Sequence, residues 1–120
     1  MAWVVEFHEE YLAEFRTESV IVQKAVLVAA GYLQHSGPQL KRPYSDTLNG
    51  SSYPNMKELR ITVSDGEWRV AYAFDPQRKA ILLTGASKSG VGQKDFYKKL
   101  IHAADRRYAN HLAHLKKKGD

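Results

Sequence analysis

The middle of the chain alternates between apolar and polar residues with the period of β-strands. Residues 56–63 and 67–74 both alternate, so each segment presents one apolar face and one polar face. Residues 80–86 form a nearly continuous apolar run, which is typical of a strand covered on both faces. Turn-forming residues at 64–66 and 75–78 separate the three segments. These short connections predict an antiparallel meander.

The segments on either side of this meander have helical spacing instead. Apolar residues recur every three or four positions along residues 93–117 and predict a long last helix with one apolar stripe. Ser19 can cap a helix over residues 20–35, which Gly37 would end. The other predicted elements are a short strand at 3–7 and a short helix at 9–17. The predicted order is β-α-α-β-β-β-α, an α+β fold in which helices pack against the antiparallel sheet.

Length and composition limit the class of protein. The 120 residues suffice for one core, so we expect a single domain over residues 1–120 with a long loop at 37–55. The chain has no cysteine, which excludes disulfides, thiolate zinc sites and a cysteine nucleophile. No apolar run reaches the roughly 18 residues of a membrane span, and residues 1–7 lack the basic start of a secretory signal. We therefore expect a cytoplasmic protein with no membrane partner.

The charge of the chain is positive and unevenly distributed. The formal net charge is +5, and residues 88–120 contain nine Lys or Arg against three Asp. A basic surface favours polyanionic partners, because each cation near a phosphate releases condensed counterions. Lys94 and Lys98 on the polar side of the last helix are the candidate RNA-binding residues. The alternative is that the charge serves only solubility.

Two arginines are predicted to lie side by side on the polar face of the first hairpin. Arg60 and Arg69 have similar distances to the turn, so they should be cross-strand neighbours. Two such guanidinium groups repel each other unless an anion lies between them, and arginine donates bidentate hydrogen bonds to phosphate. The alternative is that each arginine pairs with a nearby acid, Glu58 or Glu67.

The polar face of this hairpin is also predicted to leave space for a ligand, because Ala71 and Ala73 continue it with small side chains. Lys57 opens the first hairpin strand, and Lys88 lies in a Gly- and Ser-rich loop before the last helix. Tyr97 lies at the edge of the apolar stripe, where a phenol can stack on a base or transfer a proton. The alternatives are solvated lysines and an ordinary tyrosine at the edge of the core.

The histidines do not predict a metal site. His111 and His114 have the i, i+3 spacing that can bind zinc on a helix, but the sequence offers no third ligand nearby. The sequence also lacks a Walker A loop, a dinucleotide fingerprint and a nucleophile elbow. We expect neither a metal nor an organic cofactor.

Several runs of the chain match a known family. They are Gly37-Pro38, Leu40 to Tyr44, Asp46 to Leu48, Gly50-Ser51, Asn55 to Arg60, Trp68 to Val70, Phe74 to Pro76, Lys88, Ala104-Asp105 and Tyr108. Over nearly its whole length the chain resembles the phage-derived Gp49-like group of HigB toxins, within the RelE/ParE superfamily. The resemblance implies a RelE/ParE-like fold and the toxin half of a type II toxin–antitoxin pair.

The resemblance also implies an activity and partners. HigB toxins are ribosome-dependent endoribonucleases that cut mRNA without a metal, which inhibits translation. The cognate antitoxin is usually a helix-turn-helix protein, and operator DNA is bound only indirectly, through the antitoxin. We expect an antitoxin interface with apolar anchors and an acidic complement to this basic chain. The sequence does not indicate where that interface lies.

The implied catalytic residues are Lys57, Arg60, Arg69, Lys88 and Tyr97. In the family reaction the 2′-hydroxyl attacks the adjacent phosphorus and leaves a 2′,3′-cyclic phosphate and a 5′-hydroxyl. The two arginines would stabilise the added negative charge, while either lysine or the tyrosine would serve as base or acid. As a departure, some HigB toxins use a histidine near the C-terminus, whereas His102 has no clear motif match here.

Two other functions are compatible with the same fold. One is a non-enzymatic inhibitor, as in ParE-type relatives that target DNA gyrase and lack the ribonuclease residues. The other is an RNA-binding module without catalysis, which would bind RNA in a salt-dependent manner and cut nothing. The joint presence of Arg60, Arg69, Lys88 and Tyr97 favours the endoribonuclease.

Overall fold

The computed structural model describes residues 2–119, which form an α+β fold with one five-stranded sheet. The elements in chain order are β1 (Val5–Phe7), α1 (Glu9–Phe15), α2 (Val20–Ser36), a 3-10 turn (Gly37–Gln39), β2 (Ser45–Thr47), β3 (Lys57–Val63), β4 (Gly66–Phe74), β5 (Ala80–Ser87) and α3 (Gln93–Gly119). The predicted helices and the three central strands are all present. Within residues 2–119, no helix is both long and apolar enough to cross a membrane.

The sheet has one further strand on each side of the predicted meander. Its order is β1-β5-β4-β3-β2, and the meander β3-β4-β5 is antiparallel as predicted. β2 lies inside the segment predicted as a loop and pairs antiparallel with β3. β1 pairs parallel with β5, so the sheet is mixed rather than a pure antiparallel meander. β2 is the polar run Ser-Asp-Thr and has no apolar alternation that would predict a strand. It is a strand because it pairs with the edge of β3 that would otherwise be free.

The ends of α2 have the predicted physical causes. The Ser19 hydroxyl accepts a hydrogen bond from the Val22 N–H at 3.3 Å and caps the first turn. Gly37 ends the helix with a φ of 60°, a left-handed conformation that favours glycine. The indole of Trp3 lies against Gly37 so closely that a Cβ there would collide with it. Trp3 therefore packs on the helix end, and the predicted first strand begins only at Val5.

Each face of the sheet is covered by helices and buries its own apolar core. On one face, α1 and α2 pack over β-strand residues of the alternating pattern, among them Leu59, Ile61, Val70, Tyr72 and Leu82. On the other face, Phe96, Leu100 and Ala104 of α3 pack over Ala71, Ala73, Ile81 and Leu83. A helix on each face explains why β5 reads as a continuous apolar run.

The space expected beside Ala71 and Ala73 is filled by α3. Both alanines have no solvent exposure, so the prediction that they leave room for a ligand is wrong. Their small side chains instead allow the long helix to approach the sheet closely.

Polar contacts fix α3 over this face. Arg107 binds the Glu14 carboxylate of α1 with two hydrogen bonds of 2.6 and 2.8 Å and donates to the Leu83 carbonyl of β5 at 2.9 Å. Asp105 accepts hydrogen bonds from the Ser51 hydroxyl and the Ser52 N–H, which ties the loop before β3 to the same helix. These contacts hold the helix in the position that determines the candidate site.

The two histidines at i, i+3 spacing do not converge on a shared ligand set. His111 Nε2 lies 2.7 Å from Asp75 Oδ2, and the other oxygen of that carboxylate caps the turn between β4 and β5. His111 and His114 both line a cavity with Lys118, but His111 is already paired with Asp75. Among residues 2–119, no group of three His, Cys, Asp or Glu side chains is arranged to hold a metal ion.

Candidate functional site

Arg60 and Arg69 are direct cross-strand partners in the register of β3 and β4, as predicted. The same register places Glu58 on their face, two residues before Arg60. Arg60 Nη1 donates to Glu58 Oε2 at 3.0 Å, and Arg69 Nη1 donates to Glu67 Oε1 at 3.3 Å. Carboxylates of the chain itself therefore neutralise the two arginines. The acid-pairing alternative of the sequence analysis describes these contacts correctly.

The two arginines differ strongly in exposure. The side chain of Arg60 is 29% exposed, whereas that of Arg69 is only 3% exposed beneath α3. Arg69 also donates to the Trp68 carbonyl at 3.0 Å, which holds the guanidinium against its own strand. Arg60 can thus contact a ligand directly, but Arg69 cannot do so in this arrangement. The open two-arginine anion site expected from the strand pattern is replaced by one accessible and one buried arginine.

Glu58 lies at the centre of the group and is buried. Its Oε1 is 3.9 Å from Arg69 Nε, and neither of these two atoms has a hydrogen-bond partner within the described chain. A buried unsatisfied carboxylate oxygen is uncommon, because its desolvation costs free energy. Glu58 and Arg69 therefore face each other as a buried pair of opposite charges.

Tyr97 of α3 faces Glu58 and Arg69 from above the sheet. Burial of its hydroxyl raises the pKa of Tyr97 above the ordinary value of 10, and the neighbouring Glu58 carboxylate raises it further, while Arg69 partly opposes the shift. The phenol is therefore fully protonated at neutral pH. In this environment Tyr97 is suited to donate a proton or a hydrogen bond, and it is not suited to act as a base.

Lys88 completes the group from the end of β5. Its ammonium lies 5.5 Å from the centre of the Tyr97 ring, within the range of a cation–π interaction. The backbone N–H of Lys88 donates to the Glu67 carbonyl at 2.8 Å, which fixes the start of the loop before α3. The lysine side chain is half-buried, so one part of it packs on Tyr97 while the charge remains accessible.

These residues border a cavity of about 440 Å³ at one end of the sheet. Arg60, Lys88 and Arg42 bring three cations to its wall, together with Glu58 and Tyr97. The exposed Arg42 is held by Asp46 of β2 at 2.7 Å. A larger cavity of about 610 Å³ lies along α3, but it lacks this convergence of cations with a tyrosine and a buried carboxylate.

Three of the proposed residues lie elsewhere. Lys57 and Leu59 are two residues apart on β3, so both belong to the side of the strand opposite Arg60. Lys94 and Lys98 are exposed on α3, and Lys98 lines the larger cavity instead. The structure thus brings together four of the five proposed catalytic residues and does not bring Lys57 to them.

Two residues of the site were missed by the sequence reasoning. Glu58 entered it only as a possible partner of an arginine, although its parity with Arg60 already placed it on the same face. Arg42 lies in the matched run from Leu40 to Tyr44, but nothing in that run separates a ligand-binding arginine from a solvated one. Only the pairing of β2 with β3 brings Arg42 near the cavity.

Comparison with known proteins identifies relatives by sequence. The model of the family described as "Phage derived protein Gp49-like (DUF891)" matches residues 12–109. The protein called "Putative toxin HigB2" of Mycobacterium tuberculosis is 43% identical over 89 residues, which cover 73% of this chain and 44% of the relative. "Putative toxin HigB3" of the same organism is 44% identical over 89 residues, which cover 74% of this chain and 75% of the relative. The match thus spans less than half of HigB2.

Solved structures show the same fold at low sequence identity. The isolated RelE toxin of Escherichia coli is similar with a TM-score of 0.58 and 15% identity, covering 82% of this chain and 97% of that chain. RelE in the archaeal RelE–RelB complex from Pyrococcus horikoshii gives a TM-score of 0.55 and 15% identity, covering 76% of this chain and 100% of that chain. The predicted RelE-like α+β fold is confirmed by these similarities. Because the family model spans most of the sequence and HigB3 is matched over most of both chains, this protein belongs to the phage-derived Gp49-like family.

Proposed function

We propose that this chain is the toxin of a type II toxin–antitoxin system and that it cleaves mRNA on the ribosome. The observation that supports this function best is the convergence of Arg60, Lys88 and Tyr97 on one cavity around Glu58. The toxin assignment is supported by the two Mycobacterium tuberculosis relatives that are named as toxins and by the RelE-like fold. The whole of residues 1–120 forms the toxin unit in this proposal, and it acts in the cytoplasm.

The proposed reaction is metal-independent cleavage of a phosphodiester. The 2′-oxygen forms a bond to phosphorus, and the bond from phosphorus to the 5′-oxygen breaks. Arg60 and Lys88 hold the phosphate and stabilise the charge that develops on it. The leaving 5′-oxygen takes a proton from the hydroxyl of Tyr97. The raised pKa of Tyr97 means that this hydroxyl is protonated before the reaction.

The proton of the 2′-hydroxyl has two possible acceptors at the cavity. Lys88 is one candidate, since Lys57 belongs to the other side of β3; as the base it enters the step as the uncharged amine, and Arg60 alone then stabilises the phosphate charge. Glu58 is the other candidate, because it is the buried carboxylate that lines this cavity. Glu58→Gln and Lys88→Met separate the two, since only replacement of the base removes the rise of the cleavage rate with increasing pH. Arg69 is too buried to touch the phosphate, so its role here is to position Glu58 and Tyr97.

The proposed partners follow from the same function. The ribosome supplies the mRNA, and the exposed Lys94 and Lys98 of α3 bind the RNA backbone outside the cavity. A cognate helix-turn-helix antitoxin neutralises the chain, and operator DNA is bound only through that antitoxin. The RelE of Pyrococcus horikoshii was solved in complex with RelB, which is a precedent for a protein partner on this fold.

Primer extension on mRNA from growing bacteria tests the activity. After a pulse of the wild-type chain, we expect codon-phased cuts in translated messages, and we expect Arg60→Ala and Tyr97→Phe to abolish them. Arg106→Ala is the matched control, because this arginine is also partly exposed and paired with a carboxylate, Glu10, but lies away from the cavity. Arg60 is preferred to Arg69 for this test, since loss of the buried Arg69 would also disturb folding.

A non-enzymatic inhibitor is the second candidate function. It is favoured by the ion pairs that already satisfy Arg60 and Arg69, because arginines held by acids can be purely structural. In that case the pulse would arrest growth without cuts, and Tyr97→Phe would remain toxic. RNA binding without either cuts or arrest would indicate a plain binding module.

A further inference from the structure

The outward face of α2 is apolar. Six side chains that are 46–64% exposed form this surface, which we call the α2 patch: Val20, Ile21, Leu27, Val28, Tyr32 and Tyr44. Of the large apolar side chains exposed within residues 2–119, only two lie outside it, Val4 and Val91. Contiguous exposed apolar surfaces of this kind are rare in proteins without a partner and usually mark an interaction site.

The inner face of α2 shows that the patch is not needed for the fold. Val22, Val26 and Leu33 already pack against the sheet on the opposite side of the helix. A helix that is apolar around its whole circumference is expected to be buried on all sides. On α2 both the inner face and most of the outer face are apolar, but only the inner face is covered by the described chain.

The shape of the patch fits a helix. From Val20 to Tyr32 the surface is about 18 Å long, from the rise of an α-helix, which is close to three or four helical turns. Near its end, a side chain at Gly31 would meet nothing within 4 Å, so a partner can approach the backbone closely there. The rings of Tyr32 and Tyr44 lie 4.8 Å apart at the same end and add aromatic surface to the patch.

The charge of the patch identifies the kind of partner. Lys24 lies at its centre, and among the ion pairs of residues 2–119 none includes this lysine. Burying an unpaired ammonium is costly, so an occupant must bring a carboxylate to it. A second copy of this chain pairing patch to patch cannot do so, since residues 19–45 contain no Asp or Glu. RNA is excluded as well, because it offers no apolar side chains to cover the patch.

We propose that the α2 patch binds an amphipathic helix of the cognate antitoxin, with an acidic residue of that helix paired to Lys24. This inference rests on the proposed function for the existence of an antitoxin. The patch and the cavity lie on opposite sides of the sheet, because α2 covers the Leu59 face and α3 covers the Arg60 face. Substitutions of the patch residues Lys24, Leu27 and Val28 on α2 are therefore expected to weaken antitoxin binding and to leave the cavity unchanged.

Titration of the purified chain with the antitoxin encoded by the adjacent reading frame tests the proposal. Leu27→Asp and Val28→Asp are each expected to weaken binding at least 100-fold, and Lys24→Glu at least 10-fold. A lysine in place of the partner's acidic residue should restore the affinity of Lys24→Glu. The matched control is Val4→Asp, which is the same kind of change at an exposed position outside the patch and should bind as the wild type does. Thermal melts confirm that each variant is folded.

Co-expression in bacteria gives a second measurement. Leu27→Asp and Val28→Asp should still arrest growth when the antitoxin is present, whereas the wild type and Val4→Asp should be neutralised. The docking proposal is overturned if the patch variants bind the antitoxin as tightly as the wild type. It is also overturned if the wild type is a dimer by sedimentation and Leu27→Asp converts it to a monomer. A wild type that binds the antitoxin through the patch but arrests no growth would overturn the proposed toxin activity alone.

Discussion

The two faces of the sheet are both covered by helices, yet they bury different kinds of side chain. Under α1 and α2 the core is almost entirely apolar, built from residues such as Leu33, Leu59 and Tyr72. Under α3 the charged residues Glu58, Arg69 and Arg107 are buried beside the apolar core. The first face stabilises the fold, whereas the second face also holds a polar network beside a cavity.

Under the proposed function, this difference places activity on the α3 face and most of the apolar core on the α2 face. Buried charges are costly unless they are paired, so the α3 face depends on specific contacts such as that of Arg107 with Glu14. The α2 face has no such requirement, and its helix can present an apolar outer surface as well. We therefore expect substitutions on the α3 face to affect activity first and those on the α2 face to affect stability or partner binding first.

Tyr97→Phe should give the largest separation of the two faces. Cleavage of mRNA on ribosomes is expected to fall by about 10²–10⁴-fold, because the leaving oxygen loses its proton donor. The free energy of unfolding should change little, since only a half-buried hydroxyl is removed. Single-turnover cleavage rates and urea titrations measure the two effects. Tyr53→Phe is the control, and equal rates for Tyr97→Phe and the wild type would contradict the proposed donor.

Leu33→Ala should give the converse result on the α2 face. Leu33 has no solvent exposure, and its truncation should lower the free energy of unfolding by about 2–5 kcal/mol through lost burial and a residual cavity. Leu27→Ala on the outer side of the same helix is the matched control and should change it by less than about 0.5 kcal/mol. Urea unfolding measures both. Similar losses of stability for the two variants would contradict the exposure of the outer side of α2.

Glu58→Gln should affect both stability and the site. We expect the free energy of unfolding to fall by about 1–3 kcal/mol, because the buried Arg69 loses a nearby carboxylate. The pKa of Tyr97 should decrease, since the Glu58 carboxylate helps to raise it. Urea titration and a spectroscopic pH titration of the tyrosine measure these changes. Glu67→Gln is the control, because that acid also contacts Arg69 but is exposed, and an equal effect of both variants would argue against a special role of Glu58.

The smallest expected effect is a pH dependence at the start of α1. His8 Nδ1 accepts a hydrogen bond from the Glu10 N–H at 3.1 Å and caps the helix, and burial lowers the pKa of His8 below its ordinary value of 6.5. The unfolded chain therefore takes up this proton at a higher pH than the folded chain. His8 should favour folding fully above about pH 6.5 and lose that contribution as the pH falls toward the folded pKa.

His8→Asn isolates this contribution, because asparagine keeps a capping oxygen but does not titrate. Urea unfolding at several values between about pH 8 and pH 5 should show a steeper loss of stability for the wild type than for His8→Asn. Parallel curves would show that the cap does not depend on the protonation of His8.

Much of the fold was predictable because local patterns and tertiary contacts agree. The alternation of residues 56–63 and 67–74 predicted both the hairpin and the pairing of Arg60 with Arg69. The cap at Ser19 and the end of α2 at Gly37 were also predicted correctly, since both depend on local backbone chemistry. The strand β1 was predicted, but its parallel pairing with β5 was not, because that pairing joins distant segments. The strand β2 was not predicted, because it has no apolar pattern.

The candidate site was less predictable for a related reason. Strand parity indicates which side of β3 a residue takes, and it would already have separated Lys57 from Arg60. It does not indicate how closely a helix covers that side. The burial of Arg69, Ala71 and Ala73 follows from α3 lying directly over them, which no spacing within the strands encodes.

Sequence patterns were enough to predict the helices, the central strands, the hairpin register, the positive charge and the family resemblance, because each depends on local pattern or on runs of matching residues. The packed fold was needed to show which of the two arginines is accessible, that Glu58 is at the centre of the site, and that one side of α2 is exposed. These features depend on packing between elements far apart in the chain. They therefore follow from the packing of α2 and α3 on opposite faces of the sheet.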